Sequence, residues 1–456
     1  MMSGRFYHEP AREIPVRAQV DVLVVGGGPS GIMAALAAAA DGLKVMLIES
    51  RGYLGGNLTT GLPILAFLGP KGNQIIRGRA QKFIDRLREK GAASGHKPCR
   101  LHISLTIIDG EQVKRTAYEM LEEAGVEVQF YTFFSDAIVA DGVVKGVAIE
   151  SKAGREAVFA KVVIDCTGDG DVAFRSGVEC RKGDADGGMQ PPTLMFSMRG
   201  VDVQKLRDAI VLHPEIYDMD RMPPGQFASG NFITVGLRGM IEKALEEGLD
   251  LPVSRTILIS SLEPDVIGVN MTRVCGTDPT DPLNYTRCEA EALRQIPIVV
   301  EYLRRYVPGF ENALIHKVAP FTGIRESRVI IGKYVLTADD ILSMRKFADP
   351  VCLAGYPLDI HHPKGGDCTL VYSEDAYQIP YRVLVPEKIG GLLVAGRCSS
   401  MTHEAMAATR VMSTCMALGE AAGVAARISI LKGILPADVE YADLRAELIA
   451  SDVCLE

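Results

Sequence analysis

The chain has no tryptophan, and aromatic residues make up only 6% of it. Ten cysteines are present but no C-x-x-C pair, which excludes a recognisable zinc or iron–sulfur ligand set. Scattered cysteines in a large chain without an export signal read as reduced, mostly buried thiols of a cytoplasmic protein. Residues 1–19 are charged and polar with Pro10 and Pro15 and lack an apolar h-region, so they are no signal peptide. The apolar run 32–40 is stopped by Asp41-Gly42 and is too short to span a bilayer. Positive charge is not in excess. The net charge of −8 and pI near 5.6 argue against nucleic acid or an anionic membrane surface as partner. Internal repeats and low-complexity tracts are missing too. What the chain has in quantity is glycine, 46 residues, and apolar side chains, 47% of 456 residues. That is core enough for two or three domains, or for one large α/β body with an insertion.

The most informative stretch runs from Asp21 to Glu49. Residues 20–25 are an apolar run that predicts a buried strand. Gly26, Gly28 and Gly31 make a G-x-G-x-x-G turn, residues 32–40 predict a helix, and the second apolar run, 44–48, ends at Glu49. An acidic residue about 20 positions past such a turn is what a dinucleotide ribose contact requires. Gly26 permits the tight turn, Gly28 lets a pyrophosphate approach the backbone, and Gly31 lets helix and strand pack closely. Free N–H groups at the helix start hold the phosphates. Glu49 accepts from the adenosine ribose hydroxyls and disfavours a 2′-phosphate, so NADP is the poorest fit. The motif alone does not choose between NAD and FAD.

Beyond it, residues 50–72 are glycine-rich and read as a loop over a ligand. Helices are expected at 73–91 and at 109–124, the latter with Asp109 as N-cap and Gly125 as stop. Short strands are expected at 126–134, 136–140, 143–150 and 156–160, an antiparallel meander laid across a parallel sheet. A further buried strand is expected at 162–166, leading into a second Gly/Asp turn at 167–171. Residues 238–248 and 289–306 look helical, and 256–260, 266–271, 314–318 and 381–385 look like strands. Residues 390–397 repeat the strand-into-glycine theme, and 411–431 predict a long helix with Ala417, Ala421 and Ala425 on one face. The implied organisation is an arm (1–19), a discontinuous Rossmann-like dinucleotide domain (20–173 and 389–456), and an inserted α+β substrate or cap domain (174–388).

Four blocks together carry a resemblance: Gly26 to Gly31 with Glu49; Asp165-Cys-Thr-Gly-Asp-Gly-Asp171; Gly323-Ile-Arg325-Glu-Ser-Arg328 with Tyr334-Val-Leu-Thr; and Leu393-Val-Ala-Gly396-Arg397-Cys398, running through Thr402-His403-Glu404 and Arg410-Val-Met-Ser to Gly423. The chain resembles the FAD-dependent oxidoreductases that share the flavoprotein core of the heterodisulfide reductase FAD subunit. It is more distantly similar to the glutathione reductase and fumarate reductase flavoproteins. The resemblance implies FAD rather than NAD. The cysteine clusters of heterodisulfide reductase are absent, so no iron–sulfur cofactor is carried over.

It also implies roles. Gly28, Pro29, Ser30 and Gly31 line the pyrophosphate, and Glu49 holds the ribose with Ser50 and Arg51 beside it. Gly55, Gly56 and Asn57 pass near the ribityl or flavin end, Asn57 being equally readable as a turn residue. Thr167, Gly168 and Asp169 close over adenine and pyrophosphate, whereas Asp171 reads as a cap. Val128 meets adenine through its backbone. Gly396 and Arg397 end a strand at the sheet's carboxyl edge, and the helix starting near Val411 and Met412 points its N-terminus at the flavin, with Arg410 adjacent. Arg325 is a candidate for binding a substrate carboxylate, the alternative for it and for Arg328 being internal ion pairs with Glu326 or Asp359. His403 and His361 are candidates for proton transfer, the alternative being hydrogen-bonded structural histidines. His403 or Cys398 is also a candidate covalent flavin tether. No metal is expected.

The leading expectation is hydride transfer between FAD and a small polar substrate bearing a carboxylate or hydroxyl, with an electron donor or acceptor of unspecified kind. The alternative is an electron-transfer subunit working with a redox partner protein, and a flavin-containing binding protein comes third. Membrane association is not expected, and a homo-oligomer is compatible with the sequence.

Overall fold

The computed structural model describes residues 7–217 and 230–456. Its organising element is strand Val16–Val25, in which Val22, Leu23 and Val24 are wholly buried. A strand that is apolar on both faces belongs inside a covered parallel sheet. It pairs in parallel with Val45–Ile48 on one side (Val22↔Val45 to Val25↔Ile48) and with Gly154–Asp165 on the other, ending at Val25↔Asp165. Glu127–Gln129 extends the sheet beyond Val45–Ile48. Phe133–Ala140 and Val143–Ser151 form an antiparallel meander that leads into Gly154–Asp165. The result is a seven-stranded mixed sheet with a Rossmann-like core.

Two strands expected at 156–160 and 162–166 are one continuous strand, Gly154–Asp165. Lys161 between them does not break it. Its ammonium turns outward to Asp21 at 2.7 Å while the backbone runs on. The first half of this strand carries the meander (Ala157↔Ala148) and the second half carries Leu392–Val394 from the far end of the chain (Val163↔Leu392).

Helix Pro29–Ala38 covers one face and packs against the long helix Met412–Lys432. Glycines make the tightest part of this contact. A Cβ on Gly419 would sit 2.1 Å from the Ser30 carbonyl oxygen, and one on Gly423 would sit 2.3 Å from that of Ala34. Two glycines at i, i+4 thus let the backbones touch. Among the described residues Met412–Lys432 is the one helix long and apolar enough to cross a membrane, but 83% of its most apolar window is buried within the protein. Asp109 caps helix Gly110–Glu123 by accepting from the Glu111 and Gln112 N–H groups. The helix expected over 73–91 is shorter, Gly78–Glu89.

A second sheet is antiparallel throughout, in the order Ile233–Gly236, Thr256–Ser260, Ile267–Val269, Phe196–Arg199, Leu314–Val318. It is backed by Val203–Leu212, Arg238–Glu246 and Pro282–Tyr306 around a core that includes Phe196, Leu258, Val299 and Phe310. The last helix starts seven residues before the 289 expected, because Pro282 occupies its first turn, where a missing N–H costs nothing, and Asp281 caps it. Residues 381–385, expected as a strand, hold a 3₁₀ turn, Tyr381–Val383, after strand Tyr377–Pro380. Tyr381, Val383, Leu384 and Val385 are all buried, so their apolar run carries no period to read. Val329, Leu336, Val351, Ile379 and Val383 pack into the same core as Val24, Ile32 and Leu47.

Candidate functional site

A cleft of roughly 300 Å³ opens where the strands Val16–Val25, Val45–Ile48 and Leu392–Val394 end. Its lining brings together Gly26, Gly28, Pro29, Ser30, Glu49, Ser50, Arg51, Gly56, Asn57, Thr167, Gly168, Asp169, Arg397, Arg410 and Met412. The three glycines of the turn do different jobs. At Gly26 (φ 103°) a Cβ would lie 2.5 Å from the Cys166 carbonyl oxygen, and at Gly31 it would lie 1.8 Å from that of Gly26, so both are demanded by the fold. At Gly28 a Cβ would meet nothing within 4 Å. That glycine faces open space in the cleft, a cradle for something bulky against the backbone.

The residues expected but not lining the cleft have local reasons. Gly31 is consumed by packing. Gly396 (φ 107°) turns so tightly that a Cβ would strike Ser30 Oγ at 2.4 Å. Gly55 (φ 116°) lies against Thr59 and Val113. Val128 is engaged in its strand opposite Leu47, and Thr132, Phe133 and Phe134 form that end of the cleft instead. Val411 lines the neighbouring cavity.

Two helix N-termini contribute residues to the cleft without side-chain caps. Gly28 precedes Pro29–Ala38 and Val411 precedes Met412–Lys432, and neither makes a capping hydrogen bond. Glu49 is held by the N–H groups of Gly27 and Arg51, both at 2.8 Å, and by Ser50 Oγ at 3.0 Å. A carboxylate has about four lone-pair positions, so acceptor capacity is left for a ligand hydroxyl. Arg397 is fixed by Asp169 and Ser327, each at 2.7 Å. Arg328 lines neither cavity. It pairs with Asp171 and donates to the Asp169 carbonyl at 2.9 Å, an internal ion pair. Arg410 Nε is buried with no hydrogen-bond partner among the described residues. The open cradle at Gly28, the uncapped helix starts, the poised Glu49 and this orphaned donor suit an elongated, anionic dinucleotide.

A second cavity of roughly 150 Å³ adjoins the first and shares Asn57, Ile324, Arg410 and Met412 with it. The antiparallel sheet forms one wall with Ile233, Val235, Ile257 and Ile259, continued by Leu62, Leu65 and Met195. Arg255, Arg325, His102, Tyr356, Asp359 and His361 bring the polar groups. Arg325 donates to the Pro191 carbonyl at 2.5 Å and to Thr193 Oγ1 at 2.7 Å. Burial, the charge of Arg410 and that of Arg273 pull its pKa down to about 9, against the opposing effect of Asp359. No carboxylate lies within ion-pair distance of it among the described residues.

His361 is in this cavity. Its Nδ1 faces an Arg273 amino group at 3.1 Å, and arginine only donates, so Nδ1 is the acceptor and Nε2 carries the proton, toward Asp359 at 3.4 Å. Burial and the nearby Arg325 push its pKa down to about 3, so the ring is neutral. His403 is in neither cavity. It is buried with Nδ1 2.8 Å from Glu326, whose other oxygen accepts the Gln190 N–H. Burial alone would lower its pKa, but the hydrogen bond and charge of Glu326 outweigh this and raise it. Cys398 is fully buried in an apolar cluster and lines neither cavity. Neither residue considered as a tether reaches the cleft. Cys166 and Cys415 do, and burial raises both thiols, that of Cys415 to about 12.

Sequence reading missed Arg255, His102 and Tyr356. They come from separate segments, and no local signal marks them. Asp359 and His361 carried one cue, since residues two apart on a strand share a face. His102 has one nitrogen 3.6 Å from Cys99 Sγ, and its Nε2 has no hydrogen-bond partner among the described residues. Burial is the main cause of its pKa falling to about 4. Asp359, His361 and Cys368 converge as metal ligands would, but Arg410, Arg273 and Arg255 respectively face them, and three guanidinium charges oppose a cation there.

Comparison with known proteins agrees with this geometry. A family profile described as FAD dependent oxidoreductase matches residues 21–448. The chain is 34% identical over 129 residues to a thiamine thiazole synthase of Aeropyrum pernix, covering 28% of this chain and 43% of that protein. It is 27% identical over 282 residues to a digeranylgeranylglycerophospholipid reductase of Methanopyrus kandleri, covering 57% of this chain and 69% of that protein. The fold is similar to that of p-nitrophenol 4-monooxygenase from Pseudomonas putida, with a TM-score of 0.51, 14% identity, and coverage of 95% of this chain and 85% of that one.

Proposed function

The chain belongs to the FAD dependent oxidoreductase family, and from that premise we propose that it transfers a hydride between FAD in the elongated cleft and a small carboxylate- or hydroxyl-bearing substrate in the adjoining cavity. It is an FAD-dependent oxidoreductase, and bound FAD supplies the two-electron exchange. In this reading Glu49 accepts from the ribose hydroxyls, and the free N–H groups at the start of Pro29–Ala38 take the diphosphate. The start of Met412–Lys432 and Arg410 place positive potential at the shared wall of the two cavities.

The observation that carries the substrate reading is the second cavity itself, which shares Asn57, Ile324, Arg410 and Met412 with the cleft and holds Arg325 without an acid partner. Arg325 anchors the substrate's polar end. His361, with both ring nitrogens engaged, orients Asp359 and Arg273 rather than moving a proton. His102, a neutral imidazole with an unpartnered nitrogen, is the group assigned to the proton that accompanies the hydride. The chain spans 43% of the length of the thiamine thiazole synthase it matches.

The test is anaerobic bleaching of the bound flavin across small hydroxy acids, amino acids and polyols, with enoates offered to the photoreduced protein. Bleaching, or reoxidation by an enoate, without any second protein supports the reading. Electron exchange that occurs only with a redox partner protein would replace it with the electron-transfer alternative.

A further inference from the structure

Adjoining the second cavity, and sharing Thr193, Arg255, Asn270 and Arg325 with it, lies a recess of roughly 20 Å³ to which Arg273 and Thr272 add polar groups and Val253 and Ile257 an apolar wall. Room for about one water-sized group is what such a volume provides. We propose that this recess is a carboxylate well, and that the substrate is an amphipathic acid whose single carboxylate enters the well while its apolar body lies along the sheet wall toward Arg410 and Met412. The proposal rests on the functional reading above and narrows it to a substrate class.

Charge is the first argument. Two cavities' worth of lining contains four guanidinium groups, Arg255, Arg273, Arg325 and Arg410, and one acid, Asp359. Asp359 lies 3.4 Å from Arg410 and 3.4 Å from His361. No carboxylate lies within 4.0 Å of Arg255, Arg273 or Arg325 among the described residues. A charge withdrawn from water without a counter-ion is costly, and a protein that keeps three together has a use for the anion that joins them.

Geometry is the second. Arg273 is spent on the loop beyond His361, donating to the carbonyls of Gly365 and His362 at 2.7 Å and of Asp367 at 3.0 Å. It gives the recess a fixed positive wall. Arg325 uses only one amino group, on Pro191 and Thr193, leaving Nε and the other amino group free to fork. A guanidinium fork matches the two oxygens of a planar carboxylate. The Thr193 hydroxyl, which accepts from Arg325, and the Asn270 amide supply further donors, whereas the Thr272 hydroxyl is spent on the Leu194 carbonyl at 3.0 Å. The walls above the recess, Ile233, Val235, Ile257, Ile259 and Leu65, are hydrocarbon, so a ligand's body meets apolar surface between the recess and Arg410. One acidic head and one apolar body is the shape this lining accepts.

The experiment titrates the FAD-loaded protein with hexanoate and benzoate, with their neutral isosteres hexanamide and benzamide, and with succinate and inorganic phosphate. Two readouts are followed, perturbation of the visible flavin spectrum and the shift in melting temperature. The proposal expects each monocarboxylate to bind at least tenfold more tightly than its amide and than succinate or phosphate. Arg325→Met and Arg255→Met should each remove that preference while leaving flavin content unchanged. Arg325→Lys, which keeps the charge but loses the fork, should fall between. Equal binding of acid and amide, tighter binding of phosphate or succinate, or full carboxylate affinity in either methionine variant would overturn it. A protein whose flavin no metabolite reduces, yet whose melting temperature rises with hexanoate and not with hexanamide, would refute the hydride-transfer reading and leave the well standing.

Discussion

Replacing Gly28 with alanine separates ligand binding from folding in one methyl group. The residue has φ −79° and ψ −169°, an extended conformation open to alanine, and its Cβ would meet no protein atom within 4 Å. Folding therefore loses nothing, and the smaller entropy of the unfolded chain favours the variant by about 0.4–1 kcal/mol. Inside the cleft the same methyl stands where the diphosphate must approach the backbone. Forcing an extra methyl into a filled contact costs about 1–3 kcal/mol, which is roughly a 5- to 150-fold loss of FAD affinity. Gly31→Ala is the control with the opposite signature. Its Cβ would lie 1.8 Å from the Gly26 carbonyl oxygen, so the turn itself must move, and a loss of more than about 3 kcal/mol of stability is expected. Urea denaturation of the two apoproteins, with fluorescence titration of each by FAD, measures both quantities. A Gly28→Ala protein that binds FAD like the parent, or that loses stability as Gly31→Ala does, would refute the division of labour among these glycines.

Further outcomes follow from the same geometry. His102→Gln should slow substrate-dependent flavin reduction about a hundredfold with an unchanged flavin spectrum, and should abolish an acidic limb near pH 4 in the parent's pH–rate profile; a retained limb would remove His102 from proton transfer. The His403–Glu326 pair raises the folded-state pKa of His403. Its contribution is therefore complete below about pH 6.5 and is lost as pH rises through the higher folded value. His403→Leu should cost about 3 kcal/mol at pH 6 and flatten the stability–pH curve above pH 6.5, and parallel curves for parent and variant would contradict this. Acid precipitation should release all the flavin into the supernatant, because Cys398 and His403 line neither cavity; colour retained in the pellet would show a covalent link.

The opening strand, turn and Glu49 were legible because their constraints are local: Gly26, Gly31 and the acidic residue act on neighbours within one strand–helix–strand unit. The return of the C-terminal helix was legible as a helix, but its contact through Gly419 and Gly423 was not, since the alanines beside them offer an equally small face. The second cavity was mostly hidden. Arg325 and His361 were named from the sequence, but His102, Arg255 and Tyr356 join them only through tertiary packing. His403 misled for the same reason in reverse. It follows Arg397 closely in sequence, but Thr402 starts a new helix there and the imidazole turns to Glu326. Arg328, three residues from Arg325, illustrates how little spacing says about side-chain fate, because it is spent on Asp171 and the Asp169 carbonyl.

The most direct measurement is an equilibrium titration of the apoprotein with FAD, read by flavin fluorescence and visible absorbance and repeated with the Glu49→Ala variant. The account predicts saturation at one FAD per chain, with affinity weakened at least tenfold in the variant. A protein that stays colourless in excess FAD, or one whose FAD affinity ignores the loss of Glu49, would contradict the claim that the cleft between Gly28, Glu49 and Met412 is where the cofactor sits.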